Sequence, residues 1–244
     1  MKLSYLTLVV LLAFTSCSSS SDETPEPITN ANIIGSVNLY DEGVRQIDNS
    51  DMTVKIEGSS PLISTNTDVN GNYTLADVPF GTYTLVYTKT GFGTFKKFGI
   101  EHRNTGSSTI ITEAPSLGEV SSTQITDLQV NTSGEDILLA ITTDPAGSNG
   151  NRRYVRYFLG SDSNVSNENY AYHSPGLISQ INPFETTLSK SDLISAGFSS
   201  GETVYVKAYG DSFWSNEYDD PDLNRKVFPN LNATSANAVS FVVP

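Results

Sequence analysis

From Ile33 onward, apolar and polar residues alternate in short runs, and turn residues interrupt the runs at roughly the 8–12-residue spacing of small β domains. Ile34 to Tyr40 and Met52 to Ile56 alternate apolar and polar residues, which predicts strands with one buried and one solvated face. Asn70-Gly71, between Asp68 and Tyr73, is the dipeptide favoured by two-residue hairpin turns, so a hairpin is predicted there. Val78-Pro79-Phe80-Gly81 predicts a second turn. It leads into a strand that places Tyr83, Leu85 and Tyr87 on one face, and Gly91-Phe92-Gly93 turns the chain into a further strand from Thr94 to Ile100. The second half repeats the theme. Ile125 to Val130 and Ile137 to Thr143 flank a Thr132-Ser133-Gly134 turn, followed by strands at Tyr154 to Leu159, Thr203 to Gly210 and Ala238 to Val243. One helical interruption is predicted, from Ser189 to Gly197, with Ser189 and Asp192 at capping-box spacing and Gly197 as the stop.

The prediction is an all-β chain of two tandem β-sandwiches. Ala114-Pro115-Ser116-Leu117-Gly118 reads as the boundary, giving a first sandwich at 32–113, a linker at 114–119 and a second sandwich at 120–244. Five segments in order carry a family resemblance: Ile34-Gly35-Ser36-Val37, Val54-Lys55-Ile56-Glu57-Gly58, Thr67 to Leu75, Val78 to Tyr83, and Lys89-Thr90-Gly91-Phe92. Together they resemble the carboxypeptidase regulatory-like domain, which implies a transthyretin-like sandwich and a non-catalytic module. Gly201 to Tyr209 resembles the penultimate strand of fibronectin type III or immunoglobulin-like domains of bacterial surface proteins.

The N-terminus has a different pattern. Lys2 precedes an apolar run from Leu6 to Phe14, about nine residues, far short of the ~20 a membrane-spanning helix needs. Phe14-Thr15-Ser16-Cys17 resembles the lipobox of bacterial lipoproteins, with Phe14 standing where leucine is usual. The resemblance implies a signal peptide at 1–16 and acylation of Cys17, the single cysteine, in a Bacteroidetes-type organism. Residues 17–31 are rich in Ser, Asp, Glu and Pro and read as a tether. Its acidic, serine-rich start resembles the tag that sends such lipoproteins to the cell surface, so the expected location is the outer membrane, exposed outward. A plain secretory signal with an incidental Cys17 is the alternative.

Composition narrows the function. The formal net charge of −13 leaves no basic surface for nucleic acid, since only Arg152-Arg153-Val155-Arg156 and Lys96-Lys97 cluster at all. With Cys17 committed to lipid, no disulfide can form within the chain, and each sandwich must rest on its core. His102 and His173 stand apart from any second zinc ligand and read as surface or loop residues. No serine sits in a nucleophile elbow, and the acidic residues lie mainly in turns, so the expectation is a non-enzyme. The alternative is an exported hydrolase of glycans or esters whose site is assembled only in the fold.

The candidate site is an aromatic and acidic cluster outside the alternating pattern: Trp214, Tyr218 and Asp219, joined by Tyr170 and Tyr172 from another non-strand segment. Aromatic faces stack on sugar C–H faces while carboxylates and amides accept hydroxyl hydrogen bonds, so these residues suit a glycan platform. Packing of Trp214 over the end of a sandwich core is the other reading. Asp219, Asp220 and Asp222 are candidate ligands for a structural calcium, as is the Asp68 to Asn72 turn; no other cofactor is expected. The expected function is a binding, adhesion or accessory module. Its partners would be the membrane through Cys17 and either a glycan or a neighbouring outer-membrane protein.

Overall fold

A computed structural model describes residues 28–244, so the signal peptide, Cys17 and most of the tether lie outside the described residues. The first unit contains β1 (Asn30–Ser36), β2 (Asn38–Tyr40), β3 (Thr53–Ile56), β4 (Ser64–Asn66), β5 (Asn72–Pro79), β6 (Gly81–Thr88), β7 (Thr94–His102), β8 (Thr109–Ile110) and β9 (Ser116–Gly118). One sheet runs β5-β1-β8 and the facing sheet β4-β3-β6-β7. Their inner faces meet in a core that includes Ile33, Val54, Ile56, Leu75, Leu85 and Tyr87. The alternation of the sequence becomes alternation of burial, clearest in β5, where Tyr73, Leu75 and Val78 point inward.

Several sequence expectations fail here for physical reasons. Asn70-Gly71 makes a turn but not a hairpin, because it joins β4 to β5, which belong to opposite sheets. Asp68 organises that turn by accepting from the backbone N–H groups of Asn70 and Asn72 at 2.9 and 2.8 Å. Its carboxylate is thus occupied by the chain itself rather than presented to calcium. Gly71 has φ of 84° and lies so close to the Val37 carbonyl that a Cβ would collide with it. The supposed linker is also structure: Ser116–Gly118 is β9, paired in parallel with β2, and Leu117 joins the first core. His102 is another departure. It is fully buried at the end of β7, bonded to Thr109 Oγ1 at 2.7 Å and the Val78 carbonyl at 3.0 Å.

The second unit comprises β10 (Gln124–Ser133), β11 (Asp136–Asp144), β12 (Arg153–Gly160), β13 (Tyr172–His173), β14 (Leu177–Ser179), β15 (Phe184–Ser189), α1 (Lys190–Ser195), β16 (Thr203–Asp211), β17 (Tyr218–Asp220), β18 (Arg225–Val227) and β19 (Val239–Val242). Its sheets run β10-β11-β15 and β13-β12-β16-β19, with β14 also on β12. The β10–β11 hairpin turns at Gly134, whose φ is 65°. Helix α1 is capped as its sequence implies, the Ser189 side chain accepting from the Asp192 N–H.

Strand β12 is buried along its whole length, because its sheet is covered on both faces. Val155, Tyr157 and Leu159 face the core shared with the β10-β11-β15 sheet. Phe158, on the other face, packs with Tyr209 and Phe228 beneath the chain that follows β16. Burial of so many phenols has a consequence for stability. Desolvation raises the pKa of Tyr73, Tyr87, Tyr154, Tyr157, Tyr170, Tyr209 and Tyr218 above the ordinary tyrosine value. Above about pH 10 the unfolded chain sheds these protons while the native chain keeps them, so stability must fall as pH rises. Urea midpoints measured between pH 8 and 11 should drop steeply at the alkaline end, with the part of the 295 nm tyrosinate band that these seven phenols contribute appearing only on unfolding. A midpoint indifferent to pH over that range would contradict the burial described.

Candidate functional site

The segment after β16 is where the sequence placed its aromatic cluster, and the fold uses it to join the two sandwiches. Trp214 stacks at a tilt on Tyr40 of the first unit, with ring centroids 4.9 Å apart. Tyr218 meets Phe95 and Phe98 of β7 at 5.8 and 6.0 Å. Between them Asn216 reaches across: its Oδ1 accepts from the Gly118 N–H at 2.7 Å, and its Nδ2 donates to the carbonyls of Phe92 and Gly118, each at 2.8 Å. Asn230 Nδ2 donates to the Trp214 carbonyl at 2.7 Å, tying the segment to the chain beyond β18. Glu42 accepts from the Ser122 N–H at 2.7 Å and pairs with Arg153 at 2.9 Å. Trp214 therefore faces the first sandwich, one wall of a groove of roughly 320 Å³ that Phe95, Leu117 and Glu217 also line. Its Nε1 is buried without a hydrogen-bond partner among the described residues.

The acidic candidates divide in the same way. Asp220 is buried and caps its own turn, accepting from the N–H groups of Asp222 and Leu223 at 3.0 and 3.1 Å. Asp219 is exposed and lies 3.4 Å from Lys226 Nζ. Asp222 is exposed as well. Strand pairing of β17 with β18 turns Asp219 and Asp220 to opposite faces, so the three carboxylates do not converge. Among the described residues no three His, Cys, Asp or Glu side chains form a metal-binding group.

Beneath this segment lies a buried ion network that the sequence did not disclose. Arg156 donates from Nε to Asp211 Oδ2 at 2.8 Å, from Nη1 to the Ser174 carbonyl at 2.8 Å, and pairs through Nη2 with Glu217 at 2.9 Å. Its guanidinium sits 4.7 Å from the Phe228 ring centroid. Tyr170 belongs to the same packed layer, its ring against Phe158 and its hydroxyl donating to the Lys226 carbonyl at 2.9 Å.

Tyr172, two residues along, has a different environment. It lines a half-open groove of roughly 270 Å³ between β12, β15 and α1. Tyr157, Asp192, Thr187 and Ser195 supply the other polar side chains of that groove, and Leu159, Leu188 and Leu193 its apolar floor. The two tyrosine rings are 6.4 Å apart at 37°. Burial first, then the neighbouring Tyr172 and Asp192, push the Tyr157 phenol well above its ordinary value, so it stays a neutral hydroxyl. Asp192 Oδ2 accepts from Ser189 Oγ at 2.6 Å, which fixes the carboxylate at the start of α1. Phenol hydroxyls, a fixed carboxylate and an apolar floor can hold the hydroxyls and the C–H face of one polar ring. The sequence pointed to Tyr172 alone. Tyr157 looked like an inward strand residue and Asp192 like a helix cap; both are so, and the groove uses their polar ends.

No protein-family model matches the chain, and no curated protein matches it. Among solved structures, a "putative carbohydrate binding protein" from Bacteroides uniformis is similar at 13% identity, over 88% of this chain and 99% of that one, with a TM-score of 0.33. A DUF3823 family protein from Bacteroides ovatus is similar at 11% identity, over 88% of this chain and 100% of that one, with a TM-score of 0.30. A cohesin–X-dockerin complex from Acetivibrio cellulolyticus is similar at 20% identity, over 37% of this chain and 59% of that one, with a TM-score of 0.31.

Proposed function

We propose that this chain is an outer-membrane lipoprotein that captures a hydroxyl-rich ligand, a glycan in the first instance, without transforming it. The observation that carries the reading is the Tyr157–Tyr172–Asp192 groove, a ring-sized recess with aromatic walls and a fixed carboxylate. A carboxypeptidase regulatory-like first sandwich and an immunoglobulin or fibronectin III-like second one fit the five ordered motifs and the two-sheet cores. The lipobox-like Phe14 to Cys17 and the acidic tether support a surface anchor of Bacteroidetes type. A body joined through Asn216, Glu42 and Trp214 would present its groove at a set angle to the first sandwich rather than on a swinging domain.

One cell-based comparison tests anchor and groove separately. Cells that export and acylate the protein are incubated with fluorescent neutral oligosaccharides, as wild type, Cys17→Ser and Tyr172→Ala. Wild type should hold both protein and glycan at the membrane. Cys17→Ser should leave the membrane fraction, and Tyr172→Ala should remain there but retain about tenfold less glycan, since a stacked ring and one hydroxyl are lost. Unchanged partitioning of Cys17→Ser sinks the anchor; unchanged retention by Tyr172→Ala sinks the groove.

A further inference from the structure

On the opposite face of the β12–β16 sheet lies a second recess, of roughly 410 Å³, between the loop after β12 and the chain that follows β18. Asn167, Glu168, Lys207, Tyr209, Arg225 and Asn232 give it its polar character, while Val227, Phe228, Pro229 and Leu231 form an apolar side. Its charges are unusual for this molecule. The chain is strongly acidic, at −13, and most of its described cations are spoken for: Arg45, Lys96, Lys97, Arg103, Arg153, Arg156, Lys190 and Lys226 all lie in ion pairs. Lys55, Lys89, Arg152, Lys207 and Arg225 form no ion pair among the described residues, and of these Lys207 and Arg225 face this one recess. Glu168 lines it too without pairing with either.

The two cations are held in place by other means. Lys207 Nζ stands 5.5 Å from the Tyr209 ring centroid. Arg225 Nη1 makes only long contacts, 3.4 Å each, to the carbonyls of Asn167 and Lys226, and its Nε and Nη2 have no acceptor among the described residues. A planar guanidinium with unused donors in the same recess as an ammonium is suited to a carboxylate, which takes paired N–H donors from arginine and a point charge from lysine. The rest of the recess suits a ring that carries that carboxylate. The Asn167 and Asn232 amides and Glu168 can bond hydroxyls, and the Phe228–Pro229–Leu231 side offers apolar surface to C–H groups.

We propose that this recess is a binding site for an acidic sugar of the uronic acid class, separate from the Tyr157–Tyr172 groove. Lys207 and Arg225 hold the carboxylate. Removing either should therefore weaken binding of the acid without touching a neutral sugar in the other groove.

The test is calorimetric titration of the full-length protein in detergent with trigalacturonic acid and with its methyl ester, which keeps the rings and removes the charges. Wild type should bind the acid saturably and the ester at least tenfold more weakly, and the acid's affinity should fall as salt is raised. Lys207→Gln and Arg225→Gln should each reduce the acid's affinity about tenfold, while Tyr172→Ala leaves it unchanged. Lys207 lies on the rim of the packed layer, so Lys207→Gln keeps the comparison informative should Arg225→Gln disturb the β17–β18 hairpin. Equal binding of acid and ester, or unchanged affinity in both variants, overturns the proposal. So does a preference for inorganic sulfate or for a glutamate-rich peptide, which would assign the recess to another anion.

Discussion

Replacing Arg156 with methionine should cost the protein about 3–5 kcal/mol of folding stability, the loss expected when one partner of a buried ion pair is removed. Arg156 is 3% exposed and Asp211 is 0%, so the carboxylate left behind in Arg156→Met has neither solvent nor cation. Glu217 would keep Lys226 at 3.5 Å and the Ser174 carbonyl would keep His173 Nδ1 at 3.0 Å, but Asp211 would retain only the Ser212 N–H at 2.8 Å. Burial already raises the Asp211 carboxyl above its ordinary value, against the pull of Arg156. Without the guanidinium that rise must grow. A carboxyl whose folded pKa is raised contributes most below its unfolded pKa, near 4, and progressively less as pH climbs through the folded value. The deficit of Arg156→Met should therefore be largest at neutral pH and shrink as the solution is acidified. Urea denaturation at pH 7.5 and pH 5 measures both quantities. Arg156→Met combined with Asp211→Leu should recover much of the loss, because two apolar groups of similar size often replace a buried pair at little cost. A single variant within 1 kcal/mol of wild type would show that the network is not closed as described.

The contrast between Arg156 and the alternating strands explains what a single sequence could and could not reveal. Period-two patterning places strands because each residue's face follows from its neighbours, so β3, β6, β12 and β16 were legible, and capping spacing marked α1. Which strand lies beside which is decided by long-range closure, and there the pattern is silent. Asn70-Gly71 carries the local chemistry of a hairpin, yet β5 buries Leu75 and Val78 by crossing to pair with β1. Ser116-Leu117-Gly118 follows proline and looks like a spacer; Leu117 becomes core only because β2 offers a parallel edge. Arg153 and Arg156 look like a small basic patch, and their partners Glu42, 111 positions away, and Asp211, 55 positions away, are invisible locally. The aromatic candidates were separated for the same reason. Trp214 and Tyr218 meet the first sandwich, Tyr170 packs in the outer layer, and Tyr172 reaches the groove because the chain turns between them.

Asn216 concentrates that long-range closure in one side chain, and Asn216→Ala should both destabilise the protein and uncouple its halves. The substitution strips partners from the Gly118 N–H and from the Phe92 and Gly118 carbonyls at a buried position. Unsatisfied buried groups cost about 1–3 kcal/mol each, and because the three share one environment their sum is an upper limit. The backbone adds to the loss: Asn216 has φ of 50°, a conformation that asparagine tolerates and alanine resists. An overall loss of about 3 kcal/mol is expected. Asn216→Gly separates the two causes, since it relieves the backbone while still deleting the hydrogen bonds, and it should recover less than half of the deficit. The single Trp214 stands at this junction and reports on it directly. In wild type, tryptophan fluorescence and far-ultraviolet circular dichroism should change together on urea unfolding, because opening the junction and melting the sandwiches are one event. In Asn216→Ala the fluorescence change should come first, at lower urea, while most strand signal persists. Coincident transitions in the variant, with stability within 1 kcal/mol of wild type, would mean that Glu42–Arg153 and the Tyr218 contacts hold the halves together unaided.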